Sequence, residues 1–389
     1  MSSNDSTIPS HSAAPYQGGL TPAIVAARYG LAPAEIHKLS SNENPTGPPT
    51  AVIKVLEERL RAQPALAWER YPEIYNDSLA AALAAHHQLP PALRVVCGNG
   101  MDNVLETLVR SWLRPGQRVL LPRPSFRYYE LVSSWAGSAI ESVAVNYQLP
   151  SSAERAAELT ERLLAALASG GQYQLLWLCS PNNPDGLTLN DEQLTRLLAA
   201  AADHGCLTFL DEAYIEYADH QSRLSWVDRY PRLIVGRTFS KAYGLAALRI
   251  GWAALHESLF EDYRRHQTPF SLTNIAALAA KAALSPAAQR ELQSSQAQIL
   301  TDRQWLLGQL SSLGYEALTG AANFVAWRAG GRWPGGSSEL TEALLRRGWI
   351  VRAAGESFVG APVDLIRATV GTTEECQGLI DCLAQLSTP

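Results

Sequence analysis

Short apolar segments alternate with helix-like segments between residues 94 and 235, and this alternation constrains the fold most. The segments that predict strands are 94–97, 118–121, 139–145, 174–179, 207–210 and 233–235. Short apolar strands separated by helices are typical of a mostly parallel sheet that helices bury on both faces. The sequence therefore predicts an α/β fold, in which ligands bind beyond the carboxyl ends of the strands.

The order of segments changes near residue 285. A long predicted helix (about 286–312) is followed by strands and helices, with one strand predicted at 350–352, in an order that indicates a smaller α+β domain. The expected organisation is a mobile Ser-rich tail (1–14), an N-terminal arm that packs with the small domain (15–50), a large domain (51–285) and a small C-terminal domain (286–389).

The composition excludes several classes of protein. It is 47% hydrophobic and 18% charged, and no apolar run is long enough to span a bilayer. A net charge of -5 does not favour nucleic acid or an anionic membrane as a partner. The five cysteines form no CxxC pair, and no histidines lie beside them at metal-ligand spacing, so no metal is expected. With no secretory signal expected either, the sequence predicts reduced cysteines and a cytoplasmic protein.

Polar clusters follow three of the predicted strands. The turn Gly98–Asp102 opens a helix, whose free N–H groups can hold an anion, although such a turn is often only a tight connection. Asp211 could hold a cationic ring nitrogen, or could be a helix cap or surface carboxylate. Asn183 could donate to a ligand oxygen, or could simply form a turn.

The stretch from Thr238 to Gly251 contains the best candidate for a reactive amine. Lysine is scarce, and the four lysines are Lys38, Lys54, Lys241 and Lys281. Lys241 alone lies at a strand exit in a mainly apolar stretch, where desolvation lowers the pKa of an amine as a Schiff-base lysine requires. Arg249 could bind a phosphate in the same crevice. The alternative is a structural lysine at the edge of the core.

A phosphate site, a carboxylate for a ring nitrogen, a donor for a ring hydroxyl and an aldehyde-accepting lysine together match one cofactor, pyridoxal 5′-phosphate. Seven segments occur in the expected order: LSSNENPTGP, ERYPE, GNGMDN, SPNNPDG, FLDEAYIEY, TFSKAYGLAALRIG and LIRATVGTTEE. In these segments the sequence resembles the fold-type I pyridoxal-phosphate aminotransferases, and within them the histidinol-phosphate aminotransferase-like branch, over nearly the whole chain. The resemblance implies a large domain with a seven-stranded, mostly parallel sheet and a smaller α+β domain.

The resemblance also implies roles for individual residues around the cofactor ring. Lys241 would bond covalently to the cofactor and then move the proton from Cα. Asp211 would pair with the pyridinium nitrogen, and Asn183 and Tyr214 would bond to the ring oxygen O3′. Phe126 would stack on the ring.

Further roles concern the phosphate groups and the second subunit. The residues implied to hold the cofactor phosphate are Met101, Asp102, Ser240 and Arg249. Tyr71 would reach the partner's phosphate, which implies a homodimer. Arg367 would bind the substrate carboxylate, and Arg352 and Tyr16 would line a site for a substrate phosphate.

The predicted function is a ping-pong amino transfer from a small-molecule donor to a 2-oxo acid, with histidinol phosphate and 2-oxoglutarate as the leading pair. Asp185, Phe126 and Met101 depart from the usual family pattern, which affects the substrate more than the cofactor. Alternatives are an aromatic or other specialised aminotransferase, a decarboxylase of a phosphorylated amino acid, or a cofactor-binding regulatory module. A nicotinamide-binding protein is disfavoured, because no GxGxxG follows a strand.

Overall fold

The computed structural model describes residues 19–62, 69–331 and 333–387. The helices are α1 (Pro22–Tyr29), α2 (Thr50–Arg61), α3 (Asp77–His86), α4 (Gly100–Trp112), α5 (Tyr128–Trp135), α6 (Ser152–Ala168), α7 (Asp191–Asp203), α8 (Trp226–Arg229), α9 (Glu257–His266), α10 (Asn274–Ala283), α11 (Pro286–Ser312), α12 (Gly336–Leu345), α13 (Ala354–Ser357) and α14 (Thr373–Ser387). The strands are β1 (His37–Lys38), β2 (Leu93–Asn99), β3 (Arg118–Arg123), β4 (Ala139–Ala144), β5 (Tyr173–Cys179), β6 (Leu207–Asp211), β7 (Leu233–Thr238), β8 (Ile250–His256), β9 (Glu316–Leu318), β10 (Phe324–Arg328), β11 (Trp349–Ile350), β12 (Arg352–Ala353) and β13 (Leu365–Thr369).

The main sheet has seven strands in the order β2-β8-β7-β6-β5-β3-β4. The pairs from β7 through to β4 are parallel, whereas β8 runs antiparallel to both of its neighbours, β2 and β7. Six of these strands correspond to the six predicted from the apolar segments, and β8 was not predicted. The α/β fold with a mostly parallel sheet is therefore confirmed.

Helices cover both faces of the main sheet, so its central strands are buried along their whole length. Every residue of β6 and of β7 is buried, as expected for strands packed on two sides. On one face lie α4 and α5, packed through side chains such as Leu105 and Val132, and on the other lie α6 and α7. A capping box defines the start of α6, since Ser151 and Glu154 accept each other's backbone N–H groups.

A second sheet lies C-terminal to the first, with four antiparallel strands in the order β12-β13-β10-β9. The predicted strand 350–352 is instead two strands in different sheets, because β11 pairs with β1 and β12 pairs with β13. The β1–β11 pair attaches residues 37–38 to the C-terminal part of the chain. The domain boundaries stay a prediction, and the tail 1–14 lies outside the described residues. Within the described parts of the chain, no helix has the length and apolar character needed to cross a membrane.

Candidate active site

The ends of the central strands open into a cavity of about 350 Å³. This volume is within the range of small-molecule sites, roughly 300–1,000 Å³. The predicted site residues on its wall are Met101, Asp102, Phe126, Asn183, Asp211, Tyr214, Ser240, Lys241, Arg249, Arg352 and Arg367. Of the two others, Tyr71 does not line this cavity, and Tyr16 lies outside the described residues. The structure thus brings eleven residues from distant segments to one place.

Lys241 lies three residues beyond the end of β7, on the wall of the cavity. Its Nζ donates a hydrogen bond of 3.0 Å to the carbonyl oxygen of Ser41 and lies 5.8 Å from the centre of the Tyr214 ring. Burial, helped by the charges of Arg367 and Arg249, lowers the pKa of this amine to about 8. About a tenth of Lys241 is therefore the neutral, nucleophilic amine at pH 7, far more than for an ordinary lysine.

Asp211 is the last residue of β6 and is buried at the floor of the cavity. Its Oδ2 accepts a hydrogen bond of 2.6 Å from the Tyr129 hydroxyl, and its Oδ1 accepts one of 2.9 Å from the backbone N–H of Ala213. Burial raises its pKa to about 6, although both hydrogen bonds oppose this shift. A cation bound beside Asp211 would favour the ionised carboxylate. Tyr129 was not predicted from the sequence. The only feature that could have indicated its role is its position in the loop-to-helix segment that contains Phe126.

An anion site forms where α4 begins. Met101 and Asp102 are in its first turn, where backbone N–H groups lack helical acceptors, and Asn99 provides no side-chain cap. Arg249 lies beside this turn and donates a 2.9 Å hydrogen bond to Asp102. Gly100 makes the close approach possible, because a Cβ there would lie 2.3 Å from an Nη atom of Arg249. Ser240 lines the same cavity, so a phosphate has both N–H donors and a guanidinium available.

Two arginines lie next to each other at the other side of the site. Arg352 in β12 is directly opposite Arg367 in β13. Arg367 donates hydrogen bonds to the side-chain oxygen of Asn183 and, at 2.6 Å, to the carbonyl oxygen of Ser40. Its guanidinium lies 5.3 Å from the ring centre of Phe324. Arg367 is thus held in a fixed position, as expected for a residue that binds a carboxylate or phosphate.

The hydroxyl of Tyr214 is directed by Asn42. The Nδ2 of Asn42 donates to it at 2.9 Å, which leaves the Tyr214 O–H free to donate to another acceptor. Burial raises the pKa of Tyr214, so the phenol stays neutral. Asn42 has a φ of 55°, in the left-handed region that asparagine tolerates better than most residues. It lies in the quoted segment LSSNENPTGP, but no role was predicted for it from the sequence.

Tyr71 is 83% exposed, and its ring centre lies 4.9 Å from that of Phe270. Its role at a partner's site stays a prediction. In the parts of the chain that the structure describes, no cluster of three or more His, Cys, Asp or Glu side chains could hold a metal ion.

The cavity residues fit pyridoxal 5′-phosphate. The start of α4 and Arg249 form a phosphate cradle that a Cβ at Gly100 would fill. Asp211 offers a buried carboxylate for the ring nitrogen, and Tyr214 offers a hydroxyl for the ring oxygen. Lys241 offers an amine of lowered pKa. Each polar group of the cofactor thus has a partner of suitable chemistry.

Comparison with known proteins gives one consistent result. Residues 34–383 match the family described as aminotransferase class I and II. A histidinol-phosphate aminotransferase of Methanosarcina barkeri is 35% identical over 368 residues, which are 94% of this chain and 93% of that protein. Histidinol-phosphate aminotransferase 1 of Thiobacillus denitrificans is 33% identical over 385 residues, 98% of this chain and 93% of that protein.

A solved structure has the same fold. The histidinol-phosphate aminotransferase of Sinorhizobium meliloti, in complex with pyridoxal 5′-phosphate, superposes with a TM-score of 0.80. It is 26% identical in sequence, and the match covers 95% of each chain.

Proposed function

The chain belongs to the aminotransferase class I and II family, and on that premise we propose that it transfers the amino group of histidinol phosphate to 2-oxoglutarate. It is a pyridoxal 5′-phosphate-dependent aminotransferase. The main support for this substrate is that Arg352 lies opposite Arg367, on the cavity wall that also contains Lys241. Two adjacent guanidinium groups suit a phosphate or a carboxylate, since both accept paired N–H donors.

When bound, pyridoxal 5′-phosphate supplies an aldehyde carbon and a ring that accepts the electron pair released at the substrate Cα. Lys241 would hold the cofactor through its Nζ, and the neutral Nζ would accept the proton from the substrate Cα. Asp211 stabilises positive charge at the ring nitrogen, while Tyr129 and the Ala213 amide orient its carboxylate. Arg249 and the first turn of α4 hold the phosphate.

The proposed donor can be tested by measuring kcat/KM for histidinol phosphate, histidinol, phenylalanine and O-phosphothreonine, each with 2-oxoglutarate. We expect histidinol phosphate to exceed histidinol by on the order of 10²-fold, because charge-assisted hydrogen bonds to the phosphate contribute about 1.5–3 kcal/mol each. A higher value for phenylalanine than for histidinol phosphate would refute the donor. Release of CO₂ from O-phosphothreonine would instead indicate a decarboxylase.

Replacement of Gly100 by alanine should weaken binding of pyridoxal 5′-phosphate to the apoenzyme, by about 10-fold or more. The new Cβ would displace the Arg249 guanidinium from the phosphate cradle. Titration of apoenzyme with the cofactor measures this effect. Gly116→Ala is a matched control, since Gly116 also has a positive φ (82°) but has no atom within 4 Å of the added Cβ. Equal cofactor affinity in the two variants would rule out the cradle.

The functional unit is proposed to be a homodimer in which Tyr71 contacts the cofactor phosphate of the partner subunit. Its high exposure in the single chain supports this role. Mixing inactive Lys241→Ala and Tyr71→Ala proteins after reversible dissociation should restore up to about a quarter of wild-type activity. The restored site would combine Lys241 of one subunit with Tyr71 of the other. A mixture that forms hybrid dimers and stays inactive would contradict the shared site.

A cytoplasmic location is proposed from the cysteines. All five are free and buried, as expected for thiols in a reducing compartment. Recovery of the native enzyme in an extracytoplasmic fraction of its host would contradict this.

A further inference from the structure

Arg127 lies on the cavity wall between Phe126 and Tyr128 and was not among the predicted site residues. It immediately precedes α5, and its side chain is half-buried. Within residues 19–62, 69–331 and 333–387, no group forms a hydrogen bond or an ion pair with this side chain. A guanidinium carries five N–H donors and a permanent charge, so a partly buried one is normally paired. A ligand in the cavity could supply the missing acceptor.

The carboxylates that are nearest in sequence, on the same wall or bonded to neighbouring Tyr128 already have other partners. The pairs are Glu130 with Arg123 at 2.7 Å, Glu106 with the Tyr128 hydroxyl, Asp102 with Arg249 at 2.9 Å and Asp211 with Tyr129 at 2.6 Å. Glu130 is informative, because it lies three residues after Arg127 in the first turn of α5 and yet pairs with Arg123. The guanidinium of Arg127 is therefore available to bind a ligand in the cavity.

The cavity has an excess of positive charge. Five cationic side chains and two acidic ones line it, a formal excess of three positive charges. Arg249 and the start of α4 provide for the cofactor phosphate, which leaves Arg127, Arg352 and Arg367 for the substrate. The segment after Arg352 also lines this cavity, through Ser357 and Phe358.

We propose that Arg127 is a third substrate-binding arginine, which contacts the phosphate of the donor and the distal carboxylate of the acceptor. This inference rests on the proposed function and deepens it. A phosphate monoester carries about -1.5 to -2 charges at neutral pH, and 2-oxoglutarate carries two carboxylates. When Arg367 binds the carboxylate next to the reacting carbon, Arg352 and Arg127 together supply two guanidinium groups for the distal anion.

The test compares Arg127→Gln with wild type for two pairs of substrates that differ in the distal anion: histidinol phosphate against histidinol, and 2-oxoglutarate against pyruvate. For the first member of each pair kcat/KM should fall by about 10- to 100-fold, and for the second by less than about 2-fold. In Arg127→Lys, kcat/KM for these substrates should lie between the values of wild type and Arg127→Gln, because lysine keeps the charge but loses the bidentate geometry. Arg290→Gln, on an exposed arginine of α11, is the control and should change none of the four values.

Equal losses for both members of each pair would mean that Arg127 is only structural, and unchanged values would mean that it does not contact substrate; either result overturns the proposal. Cofactor affinity should be the same in Arg127→Gln and wild type. If wild-type enzyme does not prefer histidinol phosphate to histidinol, the proposed donor is wrong. In that case the acceptor pair alone decides the role of Arg127.

Discussion

Lys241→Ala should lower kcat by at least about 10⁴-fold, because it removes both the covalent attachment point and the group that moves the Cα proton. The cofactor should still bind, since Arg249, Asp211 and the start of α4 are unchanged. Stopped-flow or steady-state assays with the preferred donor measure the loss, and cofactor absorbance measures retention. Added alkylamines should restore part of the activity, because they supply the missing base.

Lys54→Ala is the matched control. Lys54 is exposed on α2 and takes no part in the cavity, so its removal should leave kcat within about 2-fold of wild type. Near wild-type turnover in Lys241→Ala would show that another group performs its chemistry.

Asp211→Asn should lower kcat by on the order of 10²- to 10³-fold, since the cationic ring nitrogen loses its buried partner. Asparagine keeps the size of the side chain, and its one oxygen can accept from the Ala213 N–H while its amide nitrogen donates to the Tyr129 oxygen. Exposed Asp228 provides a control, because Asp228→Asn should leave kcat unchanged. An Asp211→Asn enzyme with wild-type kcat would contradict the assigned role.

The same variant should make the apoenzyme more stable at pH 8, although it impairs catalysis. The folded-state pKa of Asp211 is about 6, above its ordinary 3.8. Burying its charge therefore costs folding free energy, a cost that is absent below pH 4, grows from pH 4 to 6 and is constant above pH 6. Relative to wild type, the free energy of unfolding of apo Asp211→Asn should rise by up to about 3 kcal/mol over that window. Chemical denaturation at pH 4 and pH 8 measures this; a stability difference between variant and wild type that is no larger at pH 8 than at pH 4 would argue against the cost.

Much of the fold was predictable because parallel strands in a buried sheet leave a strong local pattern. The six apolar segments correspond to β2 to β7, and the long helix predicted at about 286–312 is α11 (Pro286–Ser312). The β8 strand was missed because Gly251 and the small residues Ala253 and Ala254 weaken its apolar pattern. The division of residues 349–353 into β11 and β12 was not predictable, because it depends on strand pairing. Here β11 pairs with β1 in one sheet and β12 pairs with β13 in another.

The site was predictable where a residue follows a strand and carries distinctive chemistry, as Lys241 and Asp211 do. Residues that act through other residues leave no such pattern. Tyr129 bonds to Asp211, and Asn42 directs the Tyr214 hydroxyl, from segments far away in sequence. Arg127 differs again, because its significance comes from the absence of a partner among the described residues, which no sequence displays.

The measurement that tests the central claim most directly is peptide mass spectrometry of the holoenzyme after borohydride reduction. Borohydride makes the link between a lysine Nζ and the cofactor aldehyde carbon permanent, so the modified residue can be located. We expect the reduced cofactor on Lys241 in wild-type enzyme and on no lysine in Lys241→Ala. Cofactor attached to Lys38, Lys54 or Lys281 instead, or no covalent attachment in an active wild-type enzyme, would contradict the assignment of Lys241.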